Sequence, residues 1–179
     1  GKNGTATVTN CNSTGAIGVN AGGICGEYAG HENGDVKVTG CYSTGPIGTY
    51  AGGICGNKTG FTGAATVKDC YSTGPIGEKA GGICGKYAGG QNGDVSVTDC
   101  YSTSPTIGVE GGGICGPYAG HENGDVKVTG CQSSGIIAHK AGGICGWFAG
   151  ENDGVVVVIN CTSNFSNINI NGFEPGITS

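Results

Sequence analysis

GCYSTGPIGTYAGGICG runs from Gly40 to Gly56, and DCYSTGPIGEKAGGICG repeats it almost word for word from Asp69 to Gly85. Each stretch carries two cysteines and at least five glycines, with very few charged side chains. A segment that recurs after about thirty residues indicates a stacked repeat architecture, in which each repeat is one structural unit. The repeat therefore decides the fold, and the rest of the chain is best interpreted in its register.

The two cysteines of this stretch recur along the whole chain and define two columns that advance by 29 to 31 residues. The first cysteine column is Cys11, Cys41, Cys70, Cys100, Cys131 and Cys161. The second cysteine column is Cys25, Cys55, Cys84, Cys115 and Cys145. The chain thus contains five full repeats and a partial sixth over residues 1–160, followed by a divergent C-terminal strand or tail over residues 161–179.

Each repeat begins with an alternating segment such as DVKVTGC, in which Val36 and Val38 share one face and Lys37 and Thr39 the other. This period of two predicts a half-buried strand. Asn-Gly and Gly-Pro turn signals separate this segment from the shorter, glycine-flanked AGGICG segment, and glycine interrupts every candidate helix. We therefore predict an all-β fold, a β-solenoid of about six coils with ~30 residues per coil and parallel stacked short strands. Two smaller coils per repeat are the alternative, because the cysteine gaps alternate near fifteen.

Strict alternation places Cys41 on the face of Lys37 and Thr39, away from the valines. The residue before each first-column cysteine is Asn10, Gly40, Asp69, Asp99, Gly130 or Asn160. These residue types tolerate a left-handed backbone. We predict a bulge or corner at this position that turns the cysteine back inward.

Composition excludes several classes of function. Only 8 of 179 residues are Lys or Arg, they are scattered, and the net charge is −5, which argues against nucleic acid as a partner. No apolar run reaches the roughly 18 residues of a membrane helix. The chain starts at Gly1 without an apolar signal segment, so we expect a processed mature chain or an excised fragment. Eleven cysteines without a C-x-x-C pair disfavour a zinc site and favour an oxidising, extracellular or cell-surface setting.

The CYSTG…GGICG pattern resembles the GLUG-motif repeats of secreted and cell-surface proteins, chiefly bacterial. The resemblance covers Cys11 to about Gly150, most of the chain. It implies a β-solenoid within surface adhesins, protease accessory regions or fibres. No functional residue carries over from it, because the shared motif is structural.

All eleven cysteines are candidates for disulfides. Cross-links between the two columns within a coil, such as Cys11 to Cys25, leave Cys161 alone, whereas links from Cys25 to Cys41 and onward leave Cys11 alone. In both schemes the spare thiol could bond a neighbouring subunit. The alternative is a ladder of reduced, buried cysteines that act as small hydrophobic groups.

Other polar and aromatic side chains also recur with the period. Carboxylates near one corner, among them Asp35, Asp94 and Asp125, admit Ca²⁺ binding, but the third coil has no carboxylate there and solvated turns are the favoured interpretation. Aromatic residues form two partial columns, for which ladder packing between coils is the favoured interpretation and binding of surface glycans or of a partner subunit the alternative. The columns are Tyr42, Tyr71 and Tyr101, and Tyr28, Tyr87, Tyr118 and Phe148. Five N-x-S/T sequons mark weak glycosylation candidates: Asn3, Asn12, Asn57, Asn160 and Asn164. Because no singular cluster breaks the repeat, we predict no catalytic residue, no metal site and no enzyme.

The two ends of the chain carry strand-like segments that would leave unpaired edges in a solenoid. The candidate interface residues are Thr5, Thr7, Val8, Trp147, Phe148, Val156, Val158, Phe165, Ile168 and Ile170. Complementary ends make a heterologous contact that builds open filaments. We therefore predict an extracellular structural protein that self-associates end to end into a fibre. The alternatives are a stalk or ligand-binding segment of a cell-surface adhesin and, disfavoured by lysine in the threonine columns, ice binding.

Overall fold

The structure is a computed structural model, and it describes residues 3–164. Within that range the regular elements are twelve β-strands arranged in two sheets. They are β1 Thr5–Thr9, β2 Asn12–Ser13, β3 Asp35–Thr39, β4 Tyr42–Ser43, β5 Ala64–Lys68, β6 Tyr71–Ser72, β7 Asp94–Thr98, β8 Tyr101–Ile107, β9 Asp125–Thr129, β10 Gln132–Ile137, β11 Val155–Ile159 and β12 Thr162–Asn164. Residues 3–164 contain no helix that is long and apolar enough to span a membrane.

Each coil contributes one strand to each sheet, and equivalent strands pair in parallel. The first sheet has the order β1-β3-β5-β7-β9-β11 and the second has β12-β10-β8-β6-β4-β2. Register is maintained from coil to coil, as in the pairs Val38 with Val67 and Val67 with Val97. The predicted β-solenoid with about thirty residues per coil is confirmed. Pairing spans about thirty residues and not fifteen, so the alternative with two small coils per repeat is wrong.

A thin core runs along the rod axis. Its larger part combines the inward valines of the first sheet, both cysteine columns and the isoleucines of the GGIC segments. Val38, Val67, Val97 and Val128 are completely buried. A smaller cluster is built on the isoleucine column that includes Ile47 and Ile76. Narrow side chains suffice here because the coil cross-section is small.

The corner after the first strand of each coil has a left-handed backbone. φ is 64° at Gly40, 53° at Asp69 and 52° at Asp99. The corner reverses the side on which the next residue points, so that Cys41 and Cys70 are fully buried. The predicted corner is confirmed, and it explains why Asn, Asp or Gly precedes the first-column cysteines.

The paired glycines of the GGIC segments permit the close approach of neighbouring coils. A Cβ atom added to Gly53 would overlap the carbonyl oxygen of Gly82 and would lie 2.7 Å from Ser72 Cβ. Isolated bridges between Gly52 and Gly81, and between Cys55 and Cys84, continue the stacking through this part of the coil. Glycine is therefore required at this position by space and not by an unusual φ.

Candidate functional site: cysteine columns, aromatic corner and rod ends

All eleven cysteines are free thiols, so the predicted disulfides between the two columns are not formed. Each thiol instead lies against the equivalent cysteine of the next coil. The amide of Cys70 donates to Cys100 Sγ at 3.4 Å, and that sulfur lies 3.6 Å from the carbonyl oxygen of Val67 and 3.2 Å from that of Thr98. The alternative of a reduced, buried ladder describes the structure, because stacking directs each sulfur along its own column.

Two thiols of the second cysteine column favour the protonated form. A hydrogen bond with Cys25, together with burial, raises the pKa of Cys55 well above the ordinary thiol range. A hydrogen bond with Cys115, followed by burial, does the same for the pKa of Cys145. Because the thiolate is the reactive form, a raised pKa makes Cys55 and Cys145 less reactive in the folded rod. A hydrogen bond with Cys100 lowers the pKa of Cys70 to about 7, but Cys70 has no exposed surface. Cys11 differs from them, since it is exposed to solvent.

One tyrosine column forms a stacked ladder on the second sheet. The ring centroids of Tyr42 and Tyr71 are 4.9 Å apart with an interplanar angle of 5°, and those of Tyr71 and Tyr101 are 4.8 Å apart with an angle of 3°. The predicted ladder packing between coils is confirmed. Neighbouring rings cover both faces of Tyr71, so a sugar ring has no free face of that tyrosine on which to stack.

A second aromatic surface, here called the aromatic corner, runs along another edge of the rod. It comprises Tyr28, Phe61, Tyr87, Tyr118, Trp147 and Phe148, together with His31, His121, Lys58, Lys86 and Lys140. Lys86 Nζ lies 4.5 Å from the ring centroid of Tyr87 and 5.0 Å from that of Tyr118. Lys58 Nζ donates to the hydroxyl of Tyr28 at 2.8 Å. These contacts tie adjacent coils together by cation–π attraction.

Trp147 and Phe148 lie in the aromatic corner, on the side of the rod near its fifth coil. Their ring centroids are 3.9 Å apart, and Phe148 remains 41% exposed. The tyrosine and phenylalanine column was visible in the sequence. Phe61 and the lysines were missed, although the thirty-residue spacing from Tyr28 to Lys58 was a signal that a cation occupies an aromatic position.

The polar turn next to the aromatic corner links the last coils through His121. His121 Nε2 lies 3.0 Å from Asn152 Nδ2 and 3.7 Å from Glu151 Oε2, and His121 Nδ1 lies 3.5 Å from Glu122 Oε1. No group of three or more His, Cys, Asp or Glu side chains in the described part of the chain is arranged to hold a metal ion. The turn therefore fastens coils to each other.

The candidate interface residues near the chain ends lie on edge strands. Thr5 and Thr7 are exposed on β1, and Val8 is half-buried. On β11, Val156 is half-buried and Val158 is 47% exposed. Phe165, Ile168 and Ile170 lie outside the described residues. β1 and β11 thus form the two outer edges of the first sheet in residues 3–164.

The sequons do not share one environment. Asn57 is only 7% exposed, and its side-chain amide donates to Glu27 Oε1 at 3.0 Å. A glycan has no room there in the folded chain, so the prediction of Asn57 as an acceptor is corrected. Asn3, Asn12, Asn160 and Asn164 are exposed.

None of the family models, curated proteins or solved structures compared with this chain matches it.

Proposed function

We propose that the chain is an extracellular structural protein whose rods join head to tail into a fibre. The observation that carries this proposal is that the two outer strands of the first sheet have interchangeable stacking surfaces. Ala6 and Val8 of β1 and Val156 of β11 pack against the core. Val158 of β11 is exposed but pairs in register with the buried Val128, so it lies on the same face of the sheet as Val156. A β1 strand from a second copy would meet β11 with the inward and outward pattern that every internal pair already has.

The corners after these strands are also equivalent. Asn10 has φ of 54° and Asn160 has φ of 52°, and each precedes a first-column cysteine. The second sheet could therefore continue across the junction together with the first, with β2 of the second copy pairing with β12. Stacking would remove from water the apolar surface that Val158 leaves exposed, at roughly 25 cal/mol per Å².

The backbone hydrogen bonds define a directional edge. The amide of Asp35 donates to Gly4 O in the preceding coil, and that of Gly40 donates to Lys68 O in the following coil. Because amide direction alternates along a strand, the amide of Thr7 points away from the second coil. Thr7 thus presents a backbone amide donor at the outer edge of β1, where a backbone carbonyl of a neighbouring rod would accept the hydrogen bond.

This donor provides the experiment. Thr7→Pro removes the outward amide and places a ring on the edge, while the inward hydrogen bonds of β1 are retained. Thr7→Lys is the matched control, because Lys37 and Lys127 occupy the same position in interior coils. Sedimentation velocity should show a series of head-to-tail oligomers for the original protein and the lysine variant. The proline variant should sediment as a monomer. Equal assembly of all three proteins would overturn the proposal.

The location outside the cell rests on the resemblance to GLUG-motif repeats and on the cysteine content. Burial of the interior thiols is compatible with an oxidising medium, because a disulfide reagent cannot reach them in the folded rod. The repeated side chains support a mechanical role and no enzymatic one.

The second candidate is a ligand-binding segment of an adhesin, and the aromatic corner favours it. Tyr28 and Phe148 are 40% and 41% exposed, and Trp147 is half-buried beside Phe148. Exposed aromatic rings of this kind suit glycan or protein contacts. Titration with soluble oligosaccharides while the fluorescence of Trp147 is recorded would test this function, with Phe148→Ala as the variant that should lose the response. An unchanged spectrum at saturating sugar would contradict glycan binding at this corner.

A further inference from the structure

Cys11 is the member of the first cysteine column that faces solvent. The interior members Cys41, Cys70 and Cys131 have no exposed surface, and Cys161 at the other end is half-buried. A thiol reacts with a disulfide reagent only if the reagent can reach the sulfur. The sulfurs of the interior coils are buried and out of its reach. The column therefore has its accessible thiols at its two ends and inaccessible thiols between them.

A hydrogen bond from a cysteine amide to the sulfur of the next cysteine recurs along this column. The amide of Cys11 donates to Cys41 Sγ at 3.3 Å, and the amides of Cys41 and Cys131 donate to the next sulfur at 3.4 Å. Equivalent Cα atoms of neighbouring parallel strands are separated by about 4.8 Å. That separation lies inside the range of about 4.4 to 6.8 Å that disulfides require.

A head-to-tail junction would extend this column without interruption. Cys11 of the second copy would lie next to Cys161 of the first copy, in the same way as Cys161 lies next to Cys131 within one chain. Cys41 Sγ lies 3.9 Å from the carbonyl oxygen of Val8, and Cys161 Sγ lies 3.5 Å from that of Val128. At the junction the carbonyl of Val158 would meet Cys11 Sγ in the corresponding position.

We propose that Cys11 of one rod and Cys161 of the preceding rod form a disulfide that locks the fibre junction. This inference rests on the proposed head-to-tail assembly and adds a covalent bond to it. It assigns to the two end thiols a role that the nine other cysteines do not share, because only the end thiols of this column meet across the junction.

The oxidant is a small disulfide of the glutathione type. The Cys11 thiolate attacks one sulfur of the reagent, forms a mixed disulfide and releases one glutathione thiolate, which takes up a proton. The Cys161 thiolate then attacks the Cys11 sulfur and displaces the second glutathione. Two protein thiols are oxidised to one disulfide, and one reagent disulfide is reduced to two thiols. Cys11 is exposed and Cys161 is half-buried, so Cys11 reacts first with the reagent.

The experiment compares the original protein with Cys11→Ser and Cys161→Ser, and uses Cys145→Ser as a matched control from the second column. Cys145 is half-buried near the same end of the rod as Cys161. Each protein is treated with glutathione disulfide. Sedimentation velocity measures assembly, denaturing gels without reductant measure covalent bonds, and peptide mass spectrometry identifies the linked cysteines.

The inference predicts a gel ladder of dimers, trimers and longer species for the original protein and for Cys145→Ser, with a Cys11–Cys161 linked peptide. Both end variants should give monomers on the gel while they still assemble in solution. Three results would overturn the disulfide but not the fibre. They are assembly without the gel ladder, glutathione attached to Cys11 as the end product, and a Cys11–Cys11 link. Monomers in sedimentation for every protein would overturn the proposed fibre and the disulfide with it.

Discussion

At the scale of single residues, the rod depends on how closely two backbones approach. Gly53 lies against the backbone of the next coil and against Ser72. Gly53→Ala would force a methyl group into this contact and should destabilise the fold by roughly 2 kcal/mol or more, as overpacking does in other close-packed interiors. Gly18→Ala is the control, because an added Cβ there meets nothing within 4 Å. Urea denaturation followed by circular dichroism measures both, and equal midpoints would contradict the close contact.

The buried thiols make a second prediction at this scale, which concerns pH. Cys55 and Cys145 have pKa values raised in the folded rod, whereas an unfolded thiol titrates at about 8.5. Above that pH these two thiols lose their protons in the unfolded chain and keep them in the folded chain, so their contribution to the free energy of unfolding falls as pH rises. Each such thiol contributes up to about 1.4 kcal/mol per pH unit until its folded pKa is reached.

Urea denaturation under reducing conditions between pH 7 and 9.5 measures how the free energy of unfolding depends on pH. This range lies below about pH 10, where tyrosine side chains ordinarily titrate. Cys145→Ala removes one such titrating group, and its hydrogen-bond partner Cys115 keeps a raised pKa, so the slope of this variant should be shallower than that of the original protein. Equal slopes for the variant and the original protein would show that the substituted thiol is not protected from ionisation in the folded state.

At the scale of elements, the tyrosine ladder joins three successive short strands of the second sheet. Tyr71 stacks on Tyr42 and on Tyr101, whereas Tyr42 stacks on Tyr71 alone within the ladder. Stacked aromatic pairs contribute about 0.5 to 1.5 kcal/mol beyond the area that they bury. Tyr71→Ala should therefore lower the free energy of unfolding by more than Tyr42→Ala does. Equal losses for the two variants, by chemical denaturation, would show that stacking adds nothing to burial.

The elements also show where sequence reasoning succeeds and where it ends. The valine alternation predicts the first strand of each coil, and its conflict with Cys41 predicts the left-handed corner at Gly40, because both follow from local backbone geometry. The state of the cysteines could not be predicted in the same way. It depends on the direction of each sulfur relative to the other column, which is set by the stacking of whole coils.

The aromatic corner was predicted only in part, for a related reason. Lys86 reaches Tyr87 in its own coil and Tyr118 in the next, so the contact requires knowledge of how neighbouring coils align. Periodicity revealed the aromatic column but did not identify the cations that cover it. The burial of Asn57 likewise depends on Glu27 in the preceding coil.

At the scale of the whole molecule, stacked coils contact only their neighbours, so stability should vary along the rod. Hydrogen exchange should be slowest in β5 and β7, which have paired strands on both sides, and faster in the edge strands β1 and β11. In assembled fibres β1 should become as protected as the interior strands, whereas the Thr7→Pro monomer should keep a fast β1. Fast exchange of β1 in both samples would contradict pairing across the junction.

The central claim is that equivalent rod ends continue the sheets from one copy to the next, and electron microscopy of the purified protein tests it most directly. Six stacked strands at about 4.8 Å each give a subunit repeat of about 29 Å along a fibre. The account predicts long, uniform filaments with that axial repeat and with strands perpendicular to the axis. Dispersed short particles at high protein concentration would contradict head-to-tail assembly.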